Sequence, residues 1–137
     1  MSKKSLQNYR IMENNYHVLL VEDNIFNQKV ASAMVKKLGL TIDIANNGMI
    51  ALEKMLTNNY NIVLMDCHMP IMNGYDTTVK IRTSEKENGK HIPIIAMTAH
   101  DSQEDREYCF EIGIDGYISK PFRIDDLRKE LSHWKLI

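Results

Sequence analysis

Four apolar runs in this 137-residue chain end in polar residues that can do chemistry. His17-Val18-Leu19-Leu20-Val21 stops at Glu22-Asp23, Asn61-Ile62-Val63-Leu64-Met65 delivers Asp66, Ile92-Pro93-Ile94-Ile95-Ala96-Met97 ends in Thr98, and Gly116-Tyr117-Ile118-Ser119 leads into Lys120-Pro121. An apolar run ending in Asp before a Pro- and Gly-containing loop reads as a buried parallel strand surfacing at its C-terminal edge. Asp66 is therefore expected to be presented rather than hidden, although a lone Asp there would equally serve as a turn cap. On one sheet edge the four ends bring three carboxylates together with a hydroxyl and an ammonium. Crowded carboxylates repel, so one keeps a proton unless a cation joins them. Oxygen-only ligands suit Mg2+, which takes one or two carboxylates plus waters and phosphate oxygens; Ca2+ wants more ligands and Zn2+ wants His or Cys. A carboxylate beside such an ion suits phosphoryl transfer. Asp66 would attack in line, the ion and Lys120 would neutralise the oxygens, and Thr98 would donate a hydrogen bond to one of them.

The elements that must position these groups are legible in order. Residues 1–16 are polar and aperiodic, a tail or linker, and the organised part spans 17–137. From Ile25 to Leu38 apolar residues recur at helical spacing, begun by Asp23 or Asn24 and stopped by Gly39. Thr41 to Ala45 alternates as a second strand, and Ile50, Ala51, Leu52, Met55 and Leu56 give a second helix. Gly74 opens a shorter helix through Tyr75, Val79 and Ile81, with Thr83 to Lys90 expected as a charged loop. Pro93 is tolerable near the start of the fourth strand. Ser102 to Ile112 is a polar helix, and Ile124, Leu127, Leu131 and Trp134 mark the last. Five strand-helix alternations with short connections call for a parallel sheet with helices on both faces, and such sheets bind ligands outside the C-terminal strand ends.

Composition narrows the partners. The length suffices for one core without staples. A net charge of -1 with scattered basic residues offers no footprint for direct nucleic acid or anionic membrane contact. No apolar run reaches the roughly 18 residues of a membrane span, and residues 1–16 lack a signal-peptide core. Cys67 and Cys109 lie far apart with no metal-ligand spacing, which fits a reducing, cytoplasmic setting. His17, His91 and His133 show no ligand spacing either. The nine methionines read as core filling, with Met65 and Met97 pointing into the sheet layers.

Val21-Glu22-Asp23-Asn24, Leu64-Met65-Asp66-Cys67-His68-Met69-Pro70-Ile71-Met72-Asn73-Gly74, Met97-Thr98-Ala99 and Ser119-Lys120-Pro121-Phe122 together resemble a response-regulator receiver domain of two-component signalling. The likeness runs from about His17 to Trp134. It implies a flavodoxin-like five-stranded parallel sheet of order 2-1-3-4-5, with Mg2+ held by Glu22, Asp23, Asp66 and the backbone carbonyl of His68. It further implies Asp66 as phosphoacceptor, Thr98 and Lys120 as phosphoryl-binding partners, Tyr117 as an aromatic switch coupled to Thr98, and a cis Lys120-Pro121 bond, which the sequence only permits. The donor implied is a histidine kinase or histidine phosphotransfer domain, and the domain would catalyse only its own phosphorylation and slow autodephosphorylation. Asn27-Gln28, the Asp66-Cys67-x-Met69-Pro70 pattern and Trp134 are similar to receivers of hybrid sensor kinases; a free-standing receiver is the other option, and no output domain is expected in the three residues after Trp134.

Several rival readings have weaker support in these residues. A nucleotide-binding ATPase needs a G-x-x-x-x-G-K-[ST] loop, which is missing, and an aspartyl-phosphate phosphatase often carries an Asp where His68 stands. The stronger rival is a receiver-like interaction module that works without phosphorylation. The surface of Phe26, Asn27 and Val30, beside the acidic pair, is the expected docking place. His68 and His100 each follow a site residue by two positions; His100 is read as affecting water access to an aspartyl phosphate, against two ordinary loop histidines. Whether phosphorylation pairs two copies through the fourth-helix and fifth-helix face stays open.

Overall fold

The computed structural model describes residues 16–69, 71–99 and 102–137. Strands β1 (His17–Val21), β2 (Thr41–Ala45), β3 (Ile62–Asp66), β4 (Ile94–Thr98) and β5 (Gly116–Ser119) form one parallel sheet in the order β2-β1-β3-β4-β5. Helices α1 (Ile25–Lys37), α2 (Gly48–Thr57), α3 (Gly74–Asn88), α4 (Gln103–Ile112) and α5 (Ile124–His133) alternate with them. This is the flavodoxin-like order that the sequence motifs imply. Because β1 sits between β2 and β3, the chain reverses its direction of travel across the sheet there, and a crevice opens outside the strand ends.

Side-chain alternation divides the core into two layers. Leu19, Val21, Val63, Met65, Ile94 and Ala96 face one side, covered by Ala51 of α2, Ile81 of α3 and Cys109 of α4. Val18, Leu20, Ile62, Leu64, Ile95 and Met97 face the other, covered by Ala31 and Val35 of α1 and by Leu127 and Leu131 of α5. Met65 and Met97 thus enter opposite layers, both buried, as expected. The central strands are apolar on both faces, which is why they read as unbroken runs.

Helix starts follow the polar residues at the strand ends. The side chains of Asn24, Asn47, Asn73 and Ser102 accept hydrogen bonds from the backbone N–H of Asn27, Ile50, Asp76 and Asp105 at 2.9, 2.9, 2.9 and 3.1 Å, capping α1 to α4. The chain leaving β1 and β2 turns into a helix within three residues, whereas a longer loop leads from β3 to α3.

Two boundaries differ from the sequence reading. β4 begins at Ile94 because Pro93 has no N–H to donate; its carbonyl instead accepts from Val63 at 2.9 Å. α3 is not short: it spans 15 residues, and the stretch expected as a loop from Thr83 is helical to Asn88. That end is too polar to show an apolar stripe, and long-range bonds hold it. Arg82 donates to the Gly113 carbonyl at 2.8 Å and pairs with Asp115 at 2.6 Å and with Glu85, whose other oxygen accepts from the Ile92 N–H at 2.6 Å. Gly89, at φ 71, closes the helix in the left-handed conformation that glycine adopts freely.

Candidate functional site

The ends of β1, β3, β4 and β5 meet in a cleft of about 290 Å3 lined by Glu22, Asp23, Asn24, Asn27, Asp66, His68, Thr98, Ala99 and Lys120. Carboxylate oxygens of Glu22, Asp23 and Asp66 lie within 4.8 Å of one another. The Lys120 Nζ reaches over them, 2.9 Å from Glu22 Oε1 and 3.7 Å from Asp66 Oδ1. The His68 backbone N–H donates to Asp66 Oδ1 at 3.2 Å, and the Asn24 N–H donates weakly to Glu22 Oε2 at 3.4 Å. The Lys120-Pro121 bond is cis, and the Lys120 N–H donates to the Thr98 carbonyl at 2.9 Å, tying the ends of β4 and β5 together.

Asp66 is less open than the sequence suggests. It is 6% exposed, and Glu22 is 1% exposed, while Asp23 lies at the surface. Glu22, the His68 N–H and Lys120 close round its carboxylate, and α3 starts hard against its backbone: a Cβ on Gly74 would stand 2.4 Å from the Asp66 carbonyl oxygen and 2.8 Å from Cys67 Cα. Only glycine lets the helix start so near the strand end. Asp66 therefore forms the floor of the cleft, and Asp23 its open side.

Burial and crowding set the charges. Burial, then a hydrogen bond with Glu22 and its negative charge, raise the Asp66 carboxyl to about 7; the His68 N–H and Lys120 only partly oppose this. Burial also acts to raise Glu22, but its hydrogen bond with Asp66 and the Lys120 ammonium prevail and hold it below the ordinary range. Without a cation the two carboxyl groups share a proton. A hard divalent ion fits this donor set, since it would replace the proton, satisfy oxygen ligands alone and keep its waters on the open side.

The remaining expected residues take different places. Thr98 is buried at the end of β4 and lines the cleft. Tyr117 is outside the cleft lining, half-buried on the same sheet face as Thr98, since Ala96 pairs with Tyr117 and Thr98 with Ser119 in the β4-β5 register. His68 is exposed on the rim, its ring edge-on to Tyr75 at 5.8 Å. His100 lies outside the described residues, as do residues 1–15 of the expected tail. Phe26 is 73% exposed and borders a second hollow of about 300 Å3 beside the cleft, shared with Asn27, Val30, Pro121 and Phe122. Sequence reasoning missed Gln28 as a support: its amide donates to the Glu22 carbonyl at 2.7 Å and to Asn46 at 2.8 Å, fixing the acidic end of β1. It missed the meeting of Cys67 and Cys109, both buried, whose thiols interact with each other and with Tyr75. It also missed Arg106, whose guanidinium carbon lies 5.0 Å from the Tyr117 ring centre.

A five-stranded 2-1-3-4-5 sheet with three acids, a Thr and a Lys gathered at its C-terminal edge is the architecture of a receiver. The sequence profile of the response regulator receiver domain matches residues 18–132, and the chain belongs to that family, the receiver domains of two-component signalling. The hybrid signal transduction protein dokA of Dictyostelium discoideum is 44% identical over 118 residues, which are 86% of this chain and 7% of dokA. Histidine kinase 5 of Arabidopsis thaliana is 39% identical over an alignment of 141 positions, gaps included, that covers 85% of this chain and 15% of that protein. The chain thus spans a small part of the curated relatives it matches. Among solved structures, the receiver domain of sensor histidine kinase PA1611 from Pseudomonas aeruginosa, with a magnesium ion coordinated in its active-site cleft, superposes with a TM-score of 0.79 at 40% identity, covering 88% of this chain and 97% of that one. The receiver domain of Ssk1 from Saccharomyces cerevisiae, crystallised with the histidine phosphotransfer protein Ypd1, gives a TM-score of 0.82 at 29% identity over 88% of each chain. Among the described residues no helix is long and apolar enough to cross a membrane.

Proposed function

We propose that this domain accepts a phosphoryl group on Asp66 from a phosphohistidine of a histidine kinase or histidine phosphotransfer domain. The observation that carries the reading is the packing of three carboxylates within 4.8 Å beneath the Lys120 ammonium at the strand ends. Glu22, Asp23, Asp66 and the backbone carbonyl of His68 would hold Mg2+. When bound, the ion neutralises charge on the phosphoryl oxygens and on the acids. An ionised Asp66 oxygen attacks phosphorus in line, the P–N bond breaks, and the imidazole nitrogen leaves with the electron pair. Lys120 turns from Glu22 toward the phosphoryl oxygens, and the Thr98 hydroxyl donates to one of them. Water later cleaves the acyl phosphate and restores Asp66, so the domain modifies itself slowly rather than turning over a substrate. Thr98 and Tyr117, on one sheet face, carry the state of Asp66 toward α4.

Phe26, Asn27 and Val30 of α1, with the hollow they border, are the docking surface of this reading. A donor seated there lies directly beside the cleft. Support comes from the Ypd1 complex of the Ssk1 receiver and from the magnesium ion of the PA1611 receiver.

Intact mass after incubation with acetyl phosphate and Mg2+ tests the proposal. A single hydroxylamine-labile phosphoryl adduct is expected, lost in Asp66→Asn and in chelator. If a phosphohistidine donor also leaves the mass unchanged, the phosphoacceptor reading is wrong and a phosphorylation-independent interaction module takes its place.

A further inference from the structure

Among the described contacts, Tyr117 is held through its backbone by β4 and α5 and through its ring by α4. The backbone of β5 is laddered to β4, with Ala96 as the cross-strand neighbour. On the sheet's outer edge the Tyr117 N–H donates to the carboxylate of Glu130 on α5, which crowds Gly116 so closely that a Cβ there would stand 2.7 Å from Glu130 Oε2. The main chain is pinned on both sides, so reorientation at this position belongs to the side chain. Its ring packs against the core layer that holds Val63, Met65 and Ala96.

Arg106 covers the ring from α4. It sits one turn before Cys109, which is fully buried, so its side chain emerges on the edge of α4 nearest the sheet. The guanidinium carbon is 5.0 Å from the ring centre, within cation–π range. Although α4 also carries Glu104, Asp105, Glu107 and Glu111, Arg106 has no carboxylate at ion-pair distance among the described residues. Its charge is directed at the aromatic face.

We infer that Arg106 is a positioning residue that holds the Tyr117 ring in its unphosphorylated orientation and so sets the balance of the switch. The inference rests on the proposed role of Tyr117. A contact made in one state alone favours that state by its own strength, and removing it shifts the balance toward the other. An exposed cation–π contact corresponds to a factor of about two to five. Arg106→Met keeps the length of the side chain and removes its charge, whereas Arg106→Lys keeps a cation over the ring.

The test uses the full chain labelled with 3-fluorotyrosine, the Tyr117 resonance being assigned with Tyr117→Phe. In the unphosphorylated protein, Arg106→Met should move that 19F resonance and Arg106→Lys should restore it, a readout independent of whether the chain takes phosphate. Phosphorylation of wild type should move the resonance in the same direction as Arg106→Met. Phosphorylation by acetyl phosphate should then run about two- to fivefold faster in Arg106→Met and at the wild-type rate in Arg106→Lys. An unmoved resonance overturns the contact, and a moved resonance with an unchanged rate overturns its part in the switch. A wild-type protein that takes no phosphate from any donor overturns the proposed function instead, while the first arm still reports on the contact.

Discussion

Replacing Asp66 by Asn should stabilise the metal-free protein at alkaline pH. In the fold, burial and Glu22 raise Asp66 from 3.8 to about 7, so the folded protein keeps a proton that the unfolded chain releases near 3.8. Stability due to this group is then highest at acid pH, falls as pH rises from about 4 to about 7, and is level above. Taken in full, the difference would correspond to about 4 kcal/mol. Solvent entering on the Asp23 side screens much of it, leaving about 1–2 kcal/mol. The amide variant has no such proton to lose. Urea melts followed by Trp134 fluorescence in EDTA should show the variant more stable by that amount at pH 8, with the gain shrinking toward zero near pH 4. Excess Mg2+ should narrow the gap at pH 8, because binding favours the folded wild type by RT ln(1 + [Mg2+]/Kd) and the variant lacks one ligand. A variant no more stable than wild type at pH 8 in EDTA, or a gain equal at pH 4 and pH 8, would refute carboxylate crowding as the cause.

Three further outcomes follow from contacts described above. Gly74→Ala should lower stability by about 2 kcal/mol in chemical denaturation, since the strain of a Cβ against the Asp66 carbonyl outweighs the helix propensity that alanine adds; equal or greater stability would mean that the close approach relaxes freely. Arg82→Ala should cost about 3 kcal/mol in the same assay, because it leaves the largely buried Asp115 and Glu85 carboxylates without their cation. Phe26→Asp should slow transfer from a phosphohistidine partner at least about tenfold while leaving acetyl phosphate labelling unchanged; loss of both rates would remove Phe26 from docking.

What could be read from the sequence were features of short range. β3, β4 and β5 end in a polar residue and β1 runs directly into one, and each helix from α1 to α4 begins at an Asn or Ser whose side chain caps it, so order, type and the strand-end constellation were legible. The C-terminal half of α3 was not, because Lys86 and Glu87 carry no apolar period and the helix is held by Arg82 reaching Gly113 and Asp115 and by Glu85 bonding the loop beyond it at Ile92. Asp66 was expected at the surface because its own strand says nothing about how closely Glu22 and Lys120, from other strand ends, close round its carboxylate. Cys67 and Cys109 meet, and Arg106 covers Tyr117, through packing that neither local stretch encodes. Side-chain type and spacing foretold which groups gather at the edge; depth and orientation came from contacts between distant segments.

The place of each strand in the sheet also divides the protein by how readily it opens. β3 has strands on both sides and helices on both faces, so the amide protons of its middle should exchange with deuterium only when the whole molecule unfolds. β5 has a strand on one side alone, and on the other the Tyr117 amide depends on a half-buried carboxylate. Asp66 is thus mounted on an interior strand that should exchange slowly, and Tyr117 and Lys120 on or beside a sheet edge. The acidic floor is held from both sides, while the border proposed to respond to it lies where the sheet has a strand on one side alone.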